Sequence, residues 1–413
     1  MFHRTICSAA LLALFACWPP TRPASAAEPI YRPHFIEEDS PLVQYAVMSV
    51  TLSGLDDDGD LDWTVGTVWP RKPNKKPSRN LQHRELFWYE YQAPGKWVRH
   101  TIGKDKESYG AACTLDMNED GRMDIVATNL WLNLGNRKWR FVRTGIGDGG
   151  HDLQSVDING DGRLDLLAFT QEGGLNWFER GKDVASPWKR HAIAPRDYSG
   201  SRVHACGSPR AAGDLDGDGD TDVAAVHGWF ENTDRKGTAW KYHRNELFPS
   251  DDEASFPWGF AVKTVVCDLD ADGDNDIVQT ECDSPDEAGI VWLENMDGKG
   301  RFQRHWIVER SPSDYHTLQV FDYDQDGDLD VFSGVGPLAK NPRKSAFLME
   351  NIGSNGEGLL QWKRHDIYRD MPIHEGIAGD VDADGDMDII IKPWNYLDRP
   401  QHFVYLENLV RGE

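Results

Sequence analysis

A nine-residue acidic pattern with glycine at its sixth position recurs seven times in the chain: "GLDDDGDLD" (54–62), "DMNEDGRMD" (116–124), "DINGDGRLD" (157–165), "DLDGDGDTD" (214–222), "DLDADGDND" (268–276), "DYDQDGDLD" (322–330) and "DVDADGDMD" (380–388). The central glycines (Gly59, Gly121, Gly162, Gly219, Gly273, Gly327, Gly385) stand 41 to 62 residues apart. Such a period marks a repeat array, in which each unit is one supersecondary element that buries its apolar face only against its neighbours. Residues 27–413 are therefore expected to form one domain of seven units.

Within each copy, oxygen-bearing side chains occupy positions 1, 3, 5 and 9. Hard oxygen donors on alternate positions of a tight loop, a backbone carbonyl from position 7 and glycine at the sharp turn suit calcium, which takes six to eight oxygens. The expected ligands are Asp56, Asp58 and Asp62 in the first loop, where Gly54 replaces the position-1 carboxylate and makes the site weaker or water-completed. In the second and third loops they are Asp116, Asn118, Asp120 and Asp124, then Asp157, Asn159, Asp161 and Asp165. The fourth and fifth offer Asp214, Asp216, Asp218 and Asp222, then Asp268, Asp270, Asp272 and Asp276. The sixth and seventh offer Asp322, Asp324, Asp326 and Asp330, then Asp380, Asp382, Asp384 and Asp388. Up to seven calcium ions are expected.

A short β-rich run follows every loop, as in "DLLAFT" and "DIVQTE"; a third run reads like "LNWFER" or "IVWLEN"; a fourth reads like "WKRHAI" or "FQRHWI". With the small apolar run that enters each loop, this makes four short strands per unit, the composition of a propeller blade. The fold class is all-β, a seven-bladed β-propeller of four-stranded blades. The seventh unit ends at "FVYLENLVRGE" without a fourth strand, and residues 31–36, "YRPHFI", match the missing one. The N-terminal strand is expected to complete the last blade and so remove an exposed sheet edge.

These repeats resemble the VCBS/FG-GAP class of calcium-binding β-propeller repeats along the whole of residues 27–413. The resemblance implies calcium loops on one face, between the first and second strands of each blade, where they rigidify the blade. It implies little about activity. The phenylalanine-glycine and glycine-alanine-proline marks of integrin heads are absent. The aromatic-Glu-Asn strand followed by W-x-x-H is also similar to the propeller portion of aldos-2-ulose dehydratases.

The first residues, "MFHRTICSAALLALFACWPPTRPASAAEP", combine Arg4, an apolar stretch from Ile6 to Cys17 and an A-x-A arrangement at Ala24 to Ala26. This reads as a secretory signal peptide over residues 1–26, with Cys17 as an alternative site of lipid attachment. A secreted or periplasmic location follows, and no later stretch is apolar for long enough to make a transmembrane segment. In an oxidising compartment Cys206 and Cys282, in polar stretches, can pair, whereas Cys113 and Cys267 read as buried thiols. The net charge is −24, and loss of Arg4 and Arg22 takes it to −26. That surplus excludes nucleic acid as a partner, and seven dications would reduce it to about −12.

Three features fall on the face opposite the loops. His151, His316 and His374 each stand six residues before the first ligand of a loop, with Asp152, Tyr315 and Glu375 alongside. Equivalent positions on inner strands converge on the axis, so these histidines are candidates for catalysis or for holding an additional transition metal; inner-strand hydrogen bonding is their structural alternative. A basic sector (Arg71, Lys72, Lys75, Lys76, Arg79, Lys340, Arg343, Lys344, Lys392, Arg399) would attract an anionic glycan. Trp69, Trp258, Trp394 and Tyr396 fall outside the repeating strands and can stack on sugars. The strand-four histidines, such as His100, His191 and His365, read as structural. No serine or cysteine nucleophile motif and no phosphate-binding glycine loop occurs. The expectation is an exported calcium-stabilised propeller that binds an extracellular glycan or protein ligand; the alternative is a sugar or uronate lyase or dehydratase working at the channel mouth.

Overall fold

Strand two of each unit is apolar without alternation, which requires cover on both faces, and the structure provides it by standing seven sheets around an axis. The computed structural model describes residues 29, 31–37, 40, 42, 45–70, 85–104, 111–146, 150–170, 173–200, 202–245, 260–283, 287–340, 345–369, 371–393 and 402–410. Among these, strands supply the regular structure and the sheets are seven.

Blade 1 runs from the axis outward as Tyr45–Ser53, Asp62–Pro70, Glu85–Ala93 and Lys96–Lys104. Blade 2 comprises Cys113–Leu115, Asp124–Ala127, Asn129–Asn133 and Trp139–Val142; blade 3, Gly150–Val156, Asp165–Thr170, Gly174–Glu179 and Lys189–Ala194. Blade 4 is Ala212–Gly213, Asp222–Ala225, Gly228–Asn232 and Trp240–Arg244, and blade 5 is Phe260–Cys267, Asp276–Cys282, Ala288–Asn295 and Phe302–Ser311. Blade 6 has Tyr315–Phe321, Asp330–Val335, Ser345–Ser354 and Leu360–Arg369. Blade 7 has Glu375–Gly379, Asp388–Lys392 and Val404–Asn408. Its outer position is taken by Tyr31–Phe35, paired antiparallel with Tyr31 opposite Asn408 and Phe35 opposite Val404.

The chain departs from this plan once. On entering blade 4 it first lays Val203–Ala205 and Pro209–Arg210 parallel to the inner strand of blade 5, so this segment lies nearest the axis.

The core lies between blades. Leu167, Phe169 and Trp177 of blade 3 pack with Val223 and Phe230 of blade 4. Trp63 and Tyr89 of blade 1 pack with Ile390, Phe403 and Tyr405 beside blade 7, so the first and last units share one apolar cluster. Burial falls outward: strand two of blade 3 is buried throughout, while its outer strand is half-exposed.

The outer strand is held by a repeated pair. A strand-four histidine contacts a strand-three glutamate in His100 to Glu90 (2.6 Å), His191 to Glu179 (2.9 Å), His243 to Glu231 (2.5 Å), His305 to Glu294 (2.6 Å) and His365 to Glu350 (2.5 Å). His34 makes the same contact with Glu407 at 2.8 Å. In blades 3 and 4 the ring also lies flat on the strand-three tryptophan, 4.1 Å from Trp177 and 4.2 Å from Trp229. These histidines are structural, as the repeat suggests.

Candidate functional site

Each acidic loop is shaped by its own aspartates. In loops 2 to 6 the position-1 carboxylate accepts from the backbone at positions 5 and 6, as Asp214 does from Asp218 N (3.2 Å) and Gly219 N (2.9 Å). Position 6 has φ between +82° and +107° in all seven loops, the region that glycine occupies without strain. The side chains that remain converge. Asp214, Asp216 and Asp218; Asp268, Asp270 and Asp272; Asp322, Asp324 and Asp330; and Asp380, Asp382 and Asp384 each bring one oxygen per residue within 4.8 Å of the others.

These donors fit a hard cation. Buried oxygens of Asp56, Asp60, Asp220, Asp324 and Asp380 find no hydrogen-bond partner, and an orphaned buried carboxylate oxygen is costly unless a cation takes it. Two of these, Asp60 and Asp220, occupy position 7. Sequence reasoning credited that position with its carbonyl alone, and the signal overlooked is the carboxylate itself. Burial, followed by repulsion from neighbouring aspartates, pushes Asp60 up to about 7 and Asp324 up to about 6.

Loops 2 and 3 differ. Position 7 is arginine there, and it folds back on the position-5 carboxylate: Arg122 Nη2 meets Asp120 Oδ2, and Arg163 Nη2 meets Asp161 Oδ2 at 2.9 Å. With Asn118 and Asn159 at position 3, these loops carry less negative charge and supply part of its balance internally.

Position 9 has a structural task that the spacing does not reveal. In six of the loops the carboxylate clasps the backbone of position 2 and of strand three. Asp222 accepts from Leu215 N and Asn232 N, both at 2.9 Å, and Asp388 from Val381 N (3.0 Å) and Asn408 N (2.8 Å). The strand-three asparagine then reaches the loop of the preceding blade, as Asn295 Nδ2 donates to Leu215 O at 3.0 Å and Asn408 Nδ2 to Tyr323 O at 3.1 Å. Loop, blade and neighbouring loop are thus one hydrogen-bonded unit.

Asp276 accepts three hydrogen bonds, from Asn295 N (2.7 Å), Leu269 N (3.3 Å) and Trp292 Nε1 (2.8 Å). Replacing it by alanine strands three buried donors at about 1–3 kcal/mol each. We expect Asp276→Ala to lose about 3–9 kcal/mol by chemical denaturation with or without calcium. A loss seen only with calcium present would make Asp276 a ligand and nothing else.

About 20 Å from the loops, six residues back along the inner strands, charged side chains gather at the axis. The three candidate histidines do come to this region, but as members of two pairs rather than one triad. His316 stacks on His374 with centroids 4.0 Å apart, and His151 meets His204 edge-on at 4.6 Å. His204 was missed because no loop follows it at the repeat spacing; it sits on the displaced Val203–Ala205 segment. His374 contacts Lys392 Nζ through Nδ1 at 3.2 Å, and Lys392 pairs with Glu375 at 2.8 Å. Burial drives the His374 ring well below its usual range, with His316 and Lys392 adding to it. Burial likewise pushes His204 down to about 3, helped by His151.

Asp152 is tied by Cys206 N (3.0 Å), Gly207 N (3.1 Å) and Ser208 Oγ (2.8 Å), and Lys263 Nζ lies 3.8 Å away. Burial opposes its ionisation, but His151 and Lys263 hold its carboxyl well below the carboxylate range. A cavity of about 350 Å³ opens here, lined by His151, Asp152, Gln154, Lys263, Gln319 and Glu375 among others. Tyr315 is not part of it and packs edge-on against Phe347 at 5.7 Å.

Several expectations are corrected. Cys206 and Cys282 are free and buried, on the core side of their segments, so they form no disulfide; Cys113 and Cys267 are buried thiols. Lys392 does not join a cationic surface: it is 1% exposed and neutralises Glu375. Lys340 is exposed. Arg71, Lys72, Lys75, Lys76, Arg79, Arg343, Lys344, Arg399, Trp258, Trp394 and Tyr396 lie outside the described residues, as do residues 1–26 with Cys17 and the side chain of Trp69. No helix among the described residues is long and apolar enough to cross a membrane.

The FG-GAP-like repeat family matches residues 116–168, 157–225 and 268–333, three stretches that each begin at the first residue of an acidic loop. Nothing matches among curated proteins. Among solved structures, BBS1N in complex with ARL6DN is similar at 10% identity and a TM-score of 0.49, over 92% of this chain and 99% of that one. The leech intramolecular trans-sialidase is similar at 10% identity and a TM-score of 0.44, over 91% of this chain and 70% of that one. At such scores the ligands of those proteins have no bearing on this one.

Proposed function

This chain is a β-propeller of FG-GAP-like repeats, and from that premise we propose that it is an exported, calcium-stabilised binding protein whose ligand is a small hydroxyl-rich molecule, a sugar or short glycan, received in the axial cavity. The observation that carries this reading is the cavity's lining. Lys263, Asp152, Glu375, Gln154 and Gln319 present donors and acceptors from the inner strands of four blades to one space of about 350 Å³. Small-ligand sites have volumes of about 300–1,000 Å³ with a few convergent polar groups. The acidic loops support it from the far face: cations held there would fix the inner strands and hence the spacing of the cavity groups. Calcium would be held most tightly in loops 4 to 7, whose carboxylates converge, and less tightly in loops 2 and 3, where the position-7 arginine already engages the position-5 carboxylate.

The test is a glycan array followed by calorimetry in calcium buffer. At least one mono- or oligosaccharide class should bind, and Lys263→Met and Gln319→Ala should each weaken it about tenfold, the effect of one lost hydrogen bond to a buried group. Silence of the wild-type protein across the panel, or unchanged affinity in both variants, would remove this reading.

A further inference from the structure

One group of axial side chains is left over by the cavity, and it has the composition of a metal centre. Cys282 closes strand two of blade 5, Asp283 follows it, and His316 is the second residue of the inner strand of blade 6. The Cys282 sulfur, an Asp283 oxygen and a His316 ring nitrogen lie within 4.8 Å of one another. Cys282 and His316 are only 1% and 3% exposed.

The imidazole of His316 is already oriented for ligation. Its Nδ1 is 2.8 Å from the carbonyl oxygen of His374, which can only accept, so Nδ1 carries the hydrogen. In the neutral ring Nε2 is then a lone pair, and it faces Asp283 Oδ1 at 3.5 Å. Two lone pairs facing each other in a buried site require a positive species between them, a proton on the ring or a metal ion, and the separation exceeds an ordinary hydrogen bond and leaves room for the ion. A histidine that donates its far nitrogen to a backbone carbonyl while offering the near one is the usual arrangement of a metal ligand. The other oxygen of the same carboxylate, Asp283 Oδ2, faces His204 Nε2 at 3.7 Å. The backbone of Asp283 is fixed in turn, since its N donates to Asp314 Oδ1 at 2.9 Å.

Charge points the same way. Asp152, Asp283 and Asp314 are buried in this nest with Glu375 beside them, against the ammonium groups of Lys263 and Lys392. Carboxylates outnumber ammonium groups, and buried negative charge favours a cation in their midst.

We propose that Cys282, Asp283 and His316 hold one zinc-class divalent ion on the propeller axis, with His204 beside the second oxygen of Asp283. Sulfur, nitrogen and oxygen donors together select a borderline-soft metal and set this centre apart from the all-oxygen loops. Binding displaces the Cys282 thiol proton to solvent, and the thiolate and the Asp283 carboxylate then neutralise the ion. His374, expected from the sequence to share a metal with His151 and His316, is not a ligand: its Nδ1 is engaged by Lys392. The site does not depend on the sugar-binding reading, and it survives if no glycan binds.

Protein kept in excess calcium should retain one zinc per chain by elemental analysis after treatment with a zinc-selective chelator and reloading. Its cobalt(II) form should show the near-ultraviolet band of thiolate-to-cobalt charge transfer. Cys282→Ser should abolish that band, and His316→Gln should weaken zinc about 100-fold in competition with a chromophoric chelator, while His374→Asn leaves affinity within about twofold. Absence of stoichiometric zinc, cobalt binding without the charge-transfer band, or a band that persists in Cys282→Ser overturns the proposal. The wild-type cobalt spectrum decides the matter even if the variants do not fold.

Discussion

Stripping divalent cations from the protein with a chelator should lower its melting temperature by about 13 °C and restore it on return of calcium. Four loops bring three carboxylates each to within 4.8 Å. A ligand that binds only the folded chain adds about 2.7 kcal/mol per site at a hundredfold excess over Kd, so four sites add about 11 kcal/mol. That compares with a total stability of about 5–15 kcal/mol for an ordinary domain. Over 413 residues, at about 2.1 cal/mol/K of unfolding entropy per residue, it corresponds to the shift stated. Magnesium should rescue little, because it demands octahedral geometry and dehydrates reluctantly, whereas these loops offer many crowded oxygens. Differential scanning calorimetry with chelator, calcium and magnesium reads all three; a melt within 2 °C across them would count against the cation's structural role.

The second large effect lies on the axis. Lys392→Met should destabilise the protein by about 3–5 kcal/mol, because it leaves Glu375 as a buried charge without its partner. Lys392 Nζ and Glu375 Oε2 are 2.8 Å apart, and the lysine is 1% exposed. Burial disfavours ionisation of Glu375, but Lys392 first, then His374, keep its carboxyl well below the carboxylate range, so the charge is present to be stranded. Adding Glu375→Gln to the lysine variant should recover at least half the loss, since removing both charges removes the desolvation problem. Denaturant melts of the four proteins form the cycle. Equal losses in the single and double variants would mean that the methionine merely packs badly.

How far these features are legible in the sequence depends on whether they repeat. Each blade is announced by an acidic loop with glycine where φ is positive, and strand three of blades 4 to 7 by a Glu-Asn pair that proves to be a set of contacts. The glutamate takes the strand-four histidine, and in several blades the asparagine takes the neighbouring loop, as Asn295 takes Leu215 O. The axial groups break the period. His204 rides on a segment displaced toward blade 5, and Asp283 has no counterpart in the other units. Lys392, at the end of "DIIIKP", reads like the start of a basic connection until its partner Glu375 is known. Position 9 carries a second task that the spacing does not show: Asp222 clasps the backbone of two strands, while Asp330 at the same place also converges with Asp322 and Asp324.

Anomalous scattering from calcium-soaked crystals tests the central claim, that cations caged by the acidic loops pin the blades. Peaks should appear in loops 4 to 7, each about 2.3–2.6 Å from several aspartate oxygens. A map of a well-ordered propeller without peaks among Asp214, Asp268, Asp322 and Asp380 would contradict it.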